Sequence, residues 1–323
     1  MVPRARGAAH GPRHPAAHRD RAGDGPGGEL TVAHVSAPAA PAPAARIGAR
    51  ARAAGLAAAV VLLAAIYHRT AAQLWDTWTT NDTYSHGPLV PLVSAAALWA
   101  RRSALRAASA APDARGAWLV AAGCALHVLG VRADVFALQG WSLLPVLFGL
   151  VLAWFGPAAA RAAAFPIAYL GFMLTFPPLV VNQLSFALKE LAVALSTRAA
   201  EALGAVLQRD GMTLYLATGE LRIEHPCSGL RSLLALLATG ALLGWITPGG
   251  RARRLLLAGL SVPAAILANA VRLTAVVLVA HYGSVKQAAG AFHDASGYAV
   301  YLLALGLLLA ARRALRPRAE AAA

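Results

Sequence analysis

Charged residues are scarce in this sequence: Asp, Glu, Lys and Arg make up 13% of its 323 residues, whereas 58% are hydrophobic. Soluble domains carry roughly 25% charged residues, so the composition excludes an ordinary soluble protein. Cysteine is scarcer still, because only Cys124 and Cys227 are present, which excludes a scaffold of several disulfides. The sequence therefore predicts an all-α polytopic membrane protein.

Acidic residues are also few, and 29 basic against 14 acidic residues leave a formal net charge of +15. In a soluble protein this charge would indicate nucleic-acid binding. Here the arginines lie at the ends of apolar runs, where they set the orientation of membrane helices. We therefore expect membrane lipids as partners and no nucleic acid.

Long apolar runs are missing from the first 50 residues, which are rich in Ala, Pro, Gly and Arg. This composition predicts a disordered basic cytoplasmic tail over residues 1–52. It does not indicate a signal peptide, because the first apolar run begins only near Leu56 and no small-residue cleavage site is evident. The transmembrane domain is expected over residues 53–313, followed by a short cytoplasmic tail over residues 314–323.

Eight apolar runs predict about eight transmembrane helices, although several are shorter than the ~20 residues that span hydrocarbon. The runs lie near 54–67, 88–100, 117–131, 136–155, 162–176, 229–247, 255–280 and 298–311. Arginines precede the first run, separate the second from the third and the sixth from the seventh, and follow the last. A single arginine, Arg161, separates the fourth from the fifth. If all these connectors lie in the cytoplasm, successive helices cross the membrane in alternating directions, and both termini lie in the cytoplasm.

Two further segments lie between the fifth and sixth runs. The segment 180–204 carries four charged side chains and would reverse the later topology if it crossed, so we expect an amphipathic helix along the outer surface. After it, residues 212–216 and 221–223 alternate between apolar and polar types around Thr218-Gly219-Glu220. This pattern predicts an extracytoplasmic β-hairpin.

Cys227 stands at the predicted start of the sixth membrane helix, at its outer end. A thiol at a helix start lies among unpaired N–H groups and at the positive end of the helix dipole, both of which favour the nucleophilic thiolate. A free cysteine is otherwise most often a small buried hydrophobic residue, which is our interpretation of Cys124. The position of Cys227 therefore favours a reactive thiol.

Arg272 and His293 return to the same membrane face as Cys227 on this topology. The seventh helix starts on the inner side, and Arg272 lies roughly 25 Å farther along it, near the outer boundary. An arginine there either snorkels to the interface or serves a function, since intramembrane ionisable residues are functional candidates. His293 is a candidate proton carrier in the outer connector. Asn269 and Arg231 could line the same polar pocket.

Other interpretations of these polar residues stay open. His225 and His281 are rivals of His293 as the proton carrier. A metal site built from these three histidines and Cys227 lacks a close-spaced ligand pair, so we expect no metal and no other cofactor. Ser228 is not a serine nucleophile of the Gly-x-Ser-x-Gly type, because a proline stands two residues before it.

Four blocks of the sequence, over roughly residues 70–311, resemble the exosortase/archaeosortase family of integral-membrane cysteine transpeptidases. Residues 227–232 (Cys-Ser-Gly-Leu-Arg-Ser) are similar to its Cys-Ser-Gly-(aliphatic)-Arg block. Residues 262–272 resemble its Pro…Asn-x-x-Arg helix. Residues 292–297 are similar to its His block before the last helix, and residues 84–91 resemble its early Tyr-x-His-Gly block.

The resemblance implies a catalytic set composed of Cys227, Arg272 and His293. Further polar residues of the same blocks are candidates for the substrate pocket: Arg231, Asn269, Ser228, Tyr84 and His86. The implied substrates are secreted proteins with a C-terminal sorting tail, which in bacteria typically has a Pro-Glu-Pro motif, a transmembrane helix and a basic end. The implied location is the bacterial cytoplasmic (inner) membrane, with the active site facing outward.

The residue chemistry suggests a role for each member of this set. The Cys227 thiolate would attack the scissile carbonyl to form a thioester, and Arg272 would stabilise the oxyanion or the thiolate. His293 would protonate the leaving amine and then activate the acceptor. Water as the acceptor gives a thiol protease, and another nucleophile gives a transpeptidase. The alternative is a non-enzymatic polytopic protein for surface polysaccharide export or assembly, which needs no nucleophile.

Overall fold

The computed structural model describes residues 49–108, 111–223 and 229–315. Most of these residues are helical, because the apolar runs satisfy their backbone hydrogen bonds within each helix. The helices are α1 (Ala49–Thr80), α2 (Leu89–Ala100), α3 (Arg102–Ala107), α4 (Arg115–Arg132), α5 (Phe136–Trp141), α6 (Leu143–Tyr169), α7 (Pro178–Ala202), α8 (Leu230–Ile246), α9 (Arg251–Tyr282), α10 (Val285–Ala289) and α11 (Ala291–Ala314). The strands are β1 (Leu207–Asp210), β2 (Thr213–Leu216) and β3 (Gly219–Arg222).

Within the described ranges, five helical runs are long and apolar enough to cross a membrane. They are Ala53–Thr80, Phe136–Met173, Pro178–Ala202, Arg251–Tyr282 and Ser296–Ala314. Helix α8 is apolar but shorter, at 17 residues. The prediction of an all-α polytopic membrane protein is confirmed.

The longest of these runs is two antiparallel helices. At Gly156 the backbone adopts φ 80° and ψ −178°, a conformation open essentially only to glycine, and Pro157 follows. Trp141, near the start of the run, donates its indole N–H to the carbonyl of Thr175, just beyond its end, at 2.9 Å. A straight helix would separate these residues by about 50 Å. The chain therefore reverses at Gly156, and the fourth and fifth predicted helices are separate, as expected.

Three of the predicted arginine-rich connectors come together at one end of the bundle: those after α2, after α8 and at the end of α11. The guanidinium of Arg101, after α2, lies 5.2 Å from the ring centroid of Trp245 near the end of α8. Arg312, near the end of α11, donates from Nε to Oγ1 of Thr247 at 3.0 Å. The expected connector around Arg161 is shorter than predicted, because Arg161 already lies in the helix that follows the reversal. We call the end of the bundle that contains Arg101 and Arg312 the arginine-rich end.

Both ends of α7 lie at the opposite end of the bundle. Before its first turn, the N–H of Phe176 donates to the hydroxyl of Tyr84 at 3.1 Å. After its last turn, the carbonyl of Leu203 accepts from the hydroxyl of Tyr282, the last residue of α9, at 3.1 Å. The expected amphipathic helix along the outer surface stays a prediction, because α7 has the length and composition of a membrane span.

The predicted hairpin is present and has a third strand. Strands β2 and β3 pair antiparallel, with Leu216 opposite Gly219, and β1 pairs with the other edge of β2. The hydroxyl of Thr218, in the turn, donates to the carbonyl of Ala280 at 2.6 Å. Leu214 is fully buried in a cluster shared with α7 and α9. The sheet thus packs on the last turns of α9.

Helices α8, α9 and α11 form the part of the bundle that carries three of the four sequence blocks. Glycines let α8 approach α9 closely: a Cβ on Gly240 would lie 2.9 Å from Cβ of Ser261, and one on Gly244 would lie 2.6 Å from the carbonyl oxygen of Arg254. Small residues at such contacts are typical of membrane helix pairs. Apolar side chains of α8, α9 and α11 form one buried cluster, to which α11 contributes Val300, Ala304 and Leu308.

Candidate functional site

Asn269 and Arg272 are two polar residues in the second half of α9. They are three residues apart and therefore share one helix face. Asn269 is buried, with 5% of its surface exposed, and Arg272 is half-buried. Both make polar interactions. The expectation that Asn269 and Arg231 line one polar pocket stays a prediction.

The start of α8 lies directly against Asn269. Gly229, which precedes α8, has φ 75°, and a Cβ at this position would lie 2.7 Å from Cγ and 2.8 Å from Nδ2 of Asn269. Both the left-handed backbone and this close approach require glycine. The carbonyl of Gly229 accepts the N–H of Leu233 at 2.8 Å, so the helix begins at this contact.

Arg272 connects α9 to α11. Its Nε donates to Oγ of Ser296 at 3.2 Å, and a Cβ on Gly297 would lie 3.7 Å from its Cζ and Nη2 atoms. This is an ordinary van der Waals distance, so residue 297 lies beside the guanidinium without a clash. Ser296 was not among the sequence candidates. Its position three residues after His293, on the same helix face, is the signal that could have indicated it.

His293 lies in the first turn of α11, which begins at Ala291. The sequence prediction placed it in the connector before the last helix, so the structure corrects its local conformation. Its backbone is one turn from Ser296, the partner of Arg272. The structure thereby brings the histidine and arginine blocks together at the level of the backbone.

Cys227, Ser228 and His225 lie outside the described residues. On the two sides of this gap, the structure describes Ile223, whose N–H donates to the carbonyl of Met212 at 3.0 Å, and Gly229. The segment that carries the predicted nucleophile therefore connects the sheet to the start of α8 in the chain.

Tyr84 and His86 fasten the turn between α1 and α2 to the segment before α7. Tyr84 is buried, with 4% exposed, and its hydroxyl accepts the N–H of Phe176. Nε2 of His86 lies 3.0 Å from the carbonyl oxygen of Phe172. Trp78 adds a hydrogen bond from its indole N–H to the carbonyl of Met173 at 2.9 Å. These hydrogen bonds thus connect the end of α1 and the turn that follows it to the segment before α7.

Arg231 joins that turn to the start of α8. Its Nη1 lies 3.5 Å from Oδ1 of Asp82. The two side chains are 53% and 79% exposed, so water screens the pair and its contribution to stability is small. The contact is informative for position: it brings the Cys block and the early block to the same end of the bundle.

His86 has a perturbed environment in this turn. Burial lowers the pKa of its imidazole, the nearby Arg231 charge lowers it further, and the Phe172 carbonyl raises it in part. Its Nδ1 atom is buried and has no hydrogen-bond partner among the described residues. A neutral imidazole with Nε2–H directed to the carbonyl leaves Nδ1 as an acceptor.

His281, the rival proton carrier, lies far along α9 from Arg272. Nine residues of helix separate them by about 13 Å. The His281 ring packs edge-on against Tyr282, with the ring centroids 4.7 Å apart. The structure therefore places His281 at the end of α9, away from the Arg272–Ser296 contact.

A small, mainly apolar pocket opens between α7, α8 and α9, with Asn269 and Gly229 in its wall. Its other lining residues are Leu188, Ala192, Leu233, Ala265 and Ile266. In the described ranges no three His, Cys, Asp or Glu residues are grouped so that they could hold a metal ion. The polar side chain in the wall of this pocket is the amide of Asn269.

Comparison with known proteins identifies one family. The family model of the transmembrane exosortases matches residues 78–310, which cover all four sequence blocks. No curated protein and no solved structure matches the chain. The resemblance inferred from the four blocks is therefore confirmed.

The His86 environment predicts a pH dependence of stability. Its folded-state pKa is lower than the ordinary value of about 6.5, so the unfolded chain binds the proton first as the pH falls. The lowered pKa of His86 contributes fully to the free energy of unfolding above pH ~6.5. This contribution is lost as the pH decreases from there towards the folded-state pKa. Thermal unfolding of the purified protein between pH 7.5 and 5 should therefore depend less on pH in His86→Gln than in the wild type. Identical pH dependence of the two proteins would contradict this assignment.

Proposed function

Since the chain belongs to the transmembrane exosortase family, which carries a membrane transpeptidase role in protein sorting, we propose that it is a membrane cysteine protease or transpeptidase. Its substrates are secreted proteins with C-terminal sorting tails of the Pro-Glu-Pro type. It cleaves these tails through a thioester at the outer face of the bacterial cytoplasmic membrane.

One structural observation supports this proposal above the others. The Gly229–Asn269 contact and the Arg272–Ser296 hydrogen bond join α8, α9 and α11 at one end of the bundle. The three blocks that carry the proposed catalytic residues are the parts of these helices that meet there. The alternative, a non-enzymatic polytopic protein, would have the same contacts without a reactive thiol at residue 227, so substitution of Cys227 discriminates between the two.

The proposed nucleophile is the thiolate of Cys227, which precedes Gly229 by two residues. A chain spans at most about 3.6 Å per residue, so the sequence keeps this cysteine close to the start of α8. The thiolate sulfur attacks the scissile carbonyl carbon and forms a C–S bond. When the C–N bond breaks, the acyl group remains as a thioester and the amine leaves.

Arg272 is the proposed electrostatic partner of this reaction. Its guanidinium carries a permanent positive charge in a half-buried site, where a charge interacts more strongly with a developing oxyanion than it would in water. Ser296 accepts from Nε, so α11 orients the guanidinium. Ser296 is therefore a proposed positioning residue.

His293 is the proposed proton carrier. Its imidazolium gives a proton to the leaving amine, and the neutral imidazole then takes a proton from the acceptor that attacks the thioester. The attack forms the new acyl bond and releases the Cys227 thiolate. Water as acceptor completes hydrolysis, and a surface amine or hydroxyl completes transfer.

The proposed orientation follows from the charge distribution. The arginine-rich end faces the cytoplasm, as expected for loops rich in arginine. The opposite end, with the start of α8, the end of α9 and the three-stranded sheet, then faces outward. Both termini lie in the cytoplasm on this topology.

A first prediction of the proposed function concerns the two cysteines. Cys227→Ala should abolish tail cleavage of a co-expressed substrate, because the nucleophile is removed. Cys124→Ala is the matched control: Cys124 is half-buried in α4 and should be dispensable. Immunoblots of substrate and enzyme in the membrane fraction measure both effects. Normal processing by Cys227→Ala would eliminate the thiol mechanism.

A second prediction separates charge from geometry at Arg272. Arg272→Lys keeps the charge but loses the planar guanidinium, so the cleavage rate should fall on the order of 10²-fold, the size expected for a lost oxyanion donor. Arg251→Lys, at the other end of the same helix, is the control and should cleave at the wild-type rate. Equal rates for Arg272→Lys and the wild type would assign Arg272 to the membrane interface alone.

A third prediction distinguishes the two histidines. His293→Ala should block both formation and resolution of the thioester, so neither cleaved substrate nor covalent acyl-enzyme should accumulate. His281→Ala should retain most activity, because His281 lies about 13 Å along α9 from Arg272. Substrate processing and a non-reducing blot for the covalent species provide the measurement. An inactive His281→Ala together with an active His293→Ala would reverse the assignment.

A further inference from the structure

Three helices bring arginines to the end of α8 at the arginine-rich end. Arg101 follows α2, Arg253 and Arg254 belong to the first turn of α9, and Arg312 lies near the end of α11. We call these four residues the guanidinium cluster. It lies at the opposite end of the bundle from the proposed catalytic residues, and the proposed function does not use it.

The contacts of the cluster converge on four consecutive residues of the chain, 245–248. The guanidinium carbon of Arg101 lies 5.2 Å from the centroid of the Trp245 ring. Arg312 donates from Nε to Oγ1 of Thr247 at 3.0 Å. Arg253 donates from Nη1 to the carbonyl of Pro248 at 2.9 Å. Guanidinium groups from three separate helices are therefore held around one short segment.

The protein groups that the structure describes do not neutralise this charge. The ion pairs of the described residues are Arg115–Asp113, Arg222–Glu220 and Arg231–Asp82, and none includes a member of the cluster. The carbonyl end of α8 offers only a partial negative charge. The cluster thus combines several full positive charges with neutral acceptors.

Several donors of the cluster are also unsatisfied. Nε and Nη2 of Arg253 and Nε of Arg254 are buried, and they have no hydrogen-bond partner among the described residues. A buried charged donor without an acceptor is costly. These buried donors become available to a ligand when the two side chains turn outward, and an anion with several oxygens would then accept from more than one guanidinium at once.

We propose that the guanidinium cluster is a binding site for the phosphate of an anionic phospholipid headgroup. Phosphate oxygens match the fork of N–H donors that a guanidinium presents. The surface beside the cluster favours a lipid over free phosphate, because Leu255 is 72%, Trp99 67% and Ile246 45% exposed. These side chains provide apolar contacts for acyl chains.

The headgroup charge determines the expected selectivity. Phosphatidylglycerol has a net negative charge, whereas the choline of phosphatidylcholine neutralises its own phosphate. The cluster should therefore bind phosphatidylglycerol more tightly. The bound headgroup links α2, α8, α9 and α11 at the arginine-rich end, so it should also raise the thermal stability of the whole protein.

The test uses the full chain purified in a phospholipid-free detergent. Increasing amounts of dioleoylphosphatidylglycerol are added, and the unfolding temperature and the mass of the intact complex are measured. The wild type should be stabilised and should retain bound lipid, whereas dioleoylphosphatidylcholine should have a much smaller effect. Equal effects of the two lipids would overturn the proposal.

Single substitutions locate the binding site. Arg253→Gln and Arg312→Gln should each weaken phosphatidylglycerol binding about tenfold, which corresponds to one charge-assisted hydrogen bond. Arg115→Gln is the matched control, since this arginine is 87% exposed and pairs with Asp113. If one cluster variant does not accumulate, Arg101→Gln replaces it. Unchanged binding in the cluster variants, or an equal loss in the control, would overturn the proposal.

Inorganic phosphate distinguishes the two sources of the same chemistry. At millimolar concentration it should compete only weakly with the lipid, because it lacks the acyl chains that contact the exposed apolar side chains. Stabilisation by inorganic phosphate equal to that by phosphatidylglycerol would show a free-phosphate site and would contradict the lipid assignment.

Discussion

The contact between Gly229 and Asn269 is the constraint on which the arrangement at the proposed catalytic end depends. An amide side chain on α9 occupies the space that a Cβ at residue 229 would need, so the start of α8 is fixed against α9. Leu230 and Leu233 then enter the apolar cluster that α8 shares with α9 and α11. Because Arg272 lies one turn after Asn269, the same contact also fixes the level at which the guanidinium meets α11.

The length of α9 explains why the three-stranded sheet and α7 pack against its last turns. From Arg251, Arg272 lies about 32 Å along the helix, roughly the thickness of the hydrocarbon core. The helix continues to Tyr282, and this last part carries buried apolar side chains, among them Val276 and Val277. They pack against α7 and the sheet, so these elements cover apolar surface that would otherwise be exposed.

Much of this fold could be predicted from the sequence, because apolar length and arginine position are strong signals. The reversal at Gly156 was predicted only as a connector, since its tightness depends on backbone torsions that composition does not specify. Strand β1 was missed because Leu207–Asp210 has one apolar residue among four, and pairing with β2 determines its conformation. Ser296 was missed for a similar reason: its partner Arg272 is 24 residues away in the sequence.

On the proposed function, the boundary position of Arg272 has a chemical consequence. A guanidinium deep in hydrocarbon would be costly to bury, and one in water would interact weakly with a developing oxyanion. Arg272 is half-buried, about one membrane thickness from the arginine-rich end. A membrane-anchored tail would reach this level from within the bilayer, and an acceptor would reach it from water. The proposed site therefore lies where both reactants can meet and where the charge of Arg272 is only partly screened.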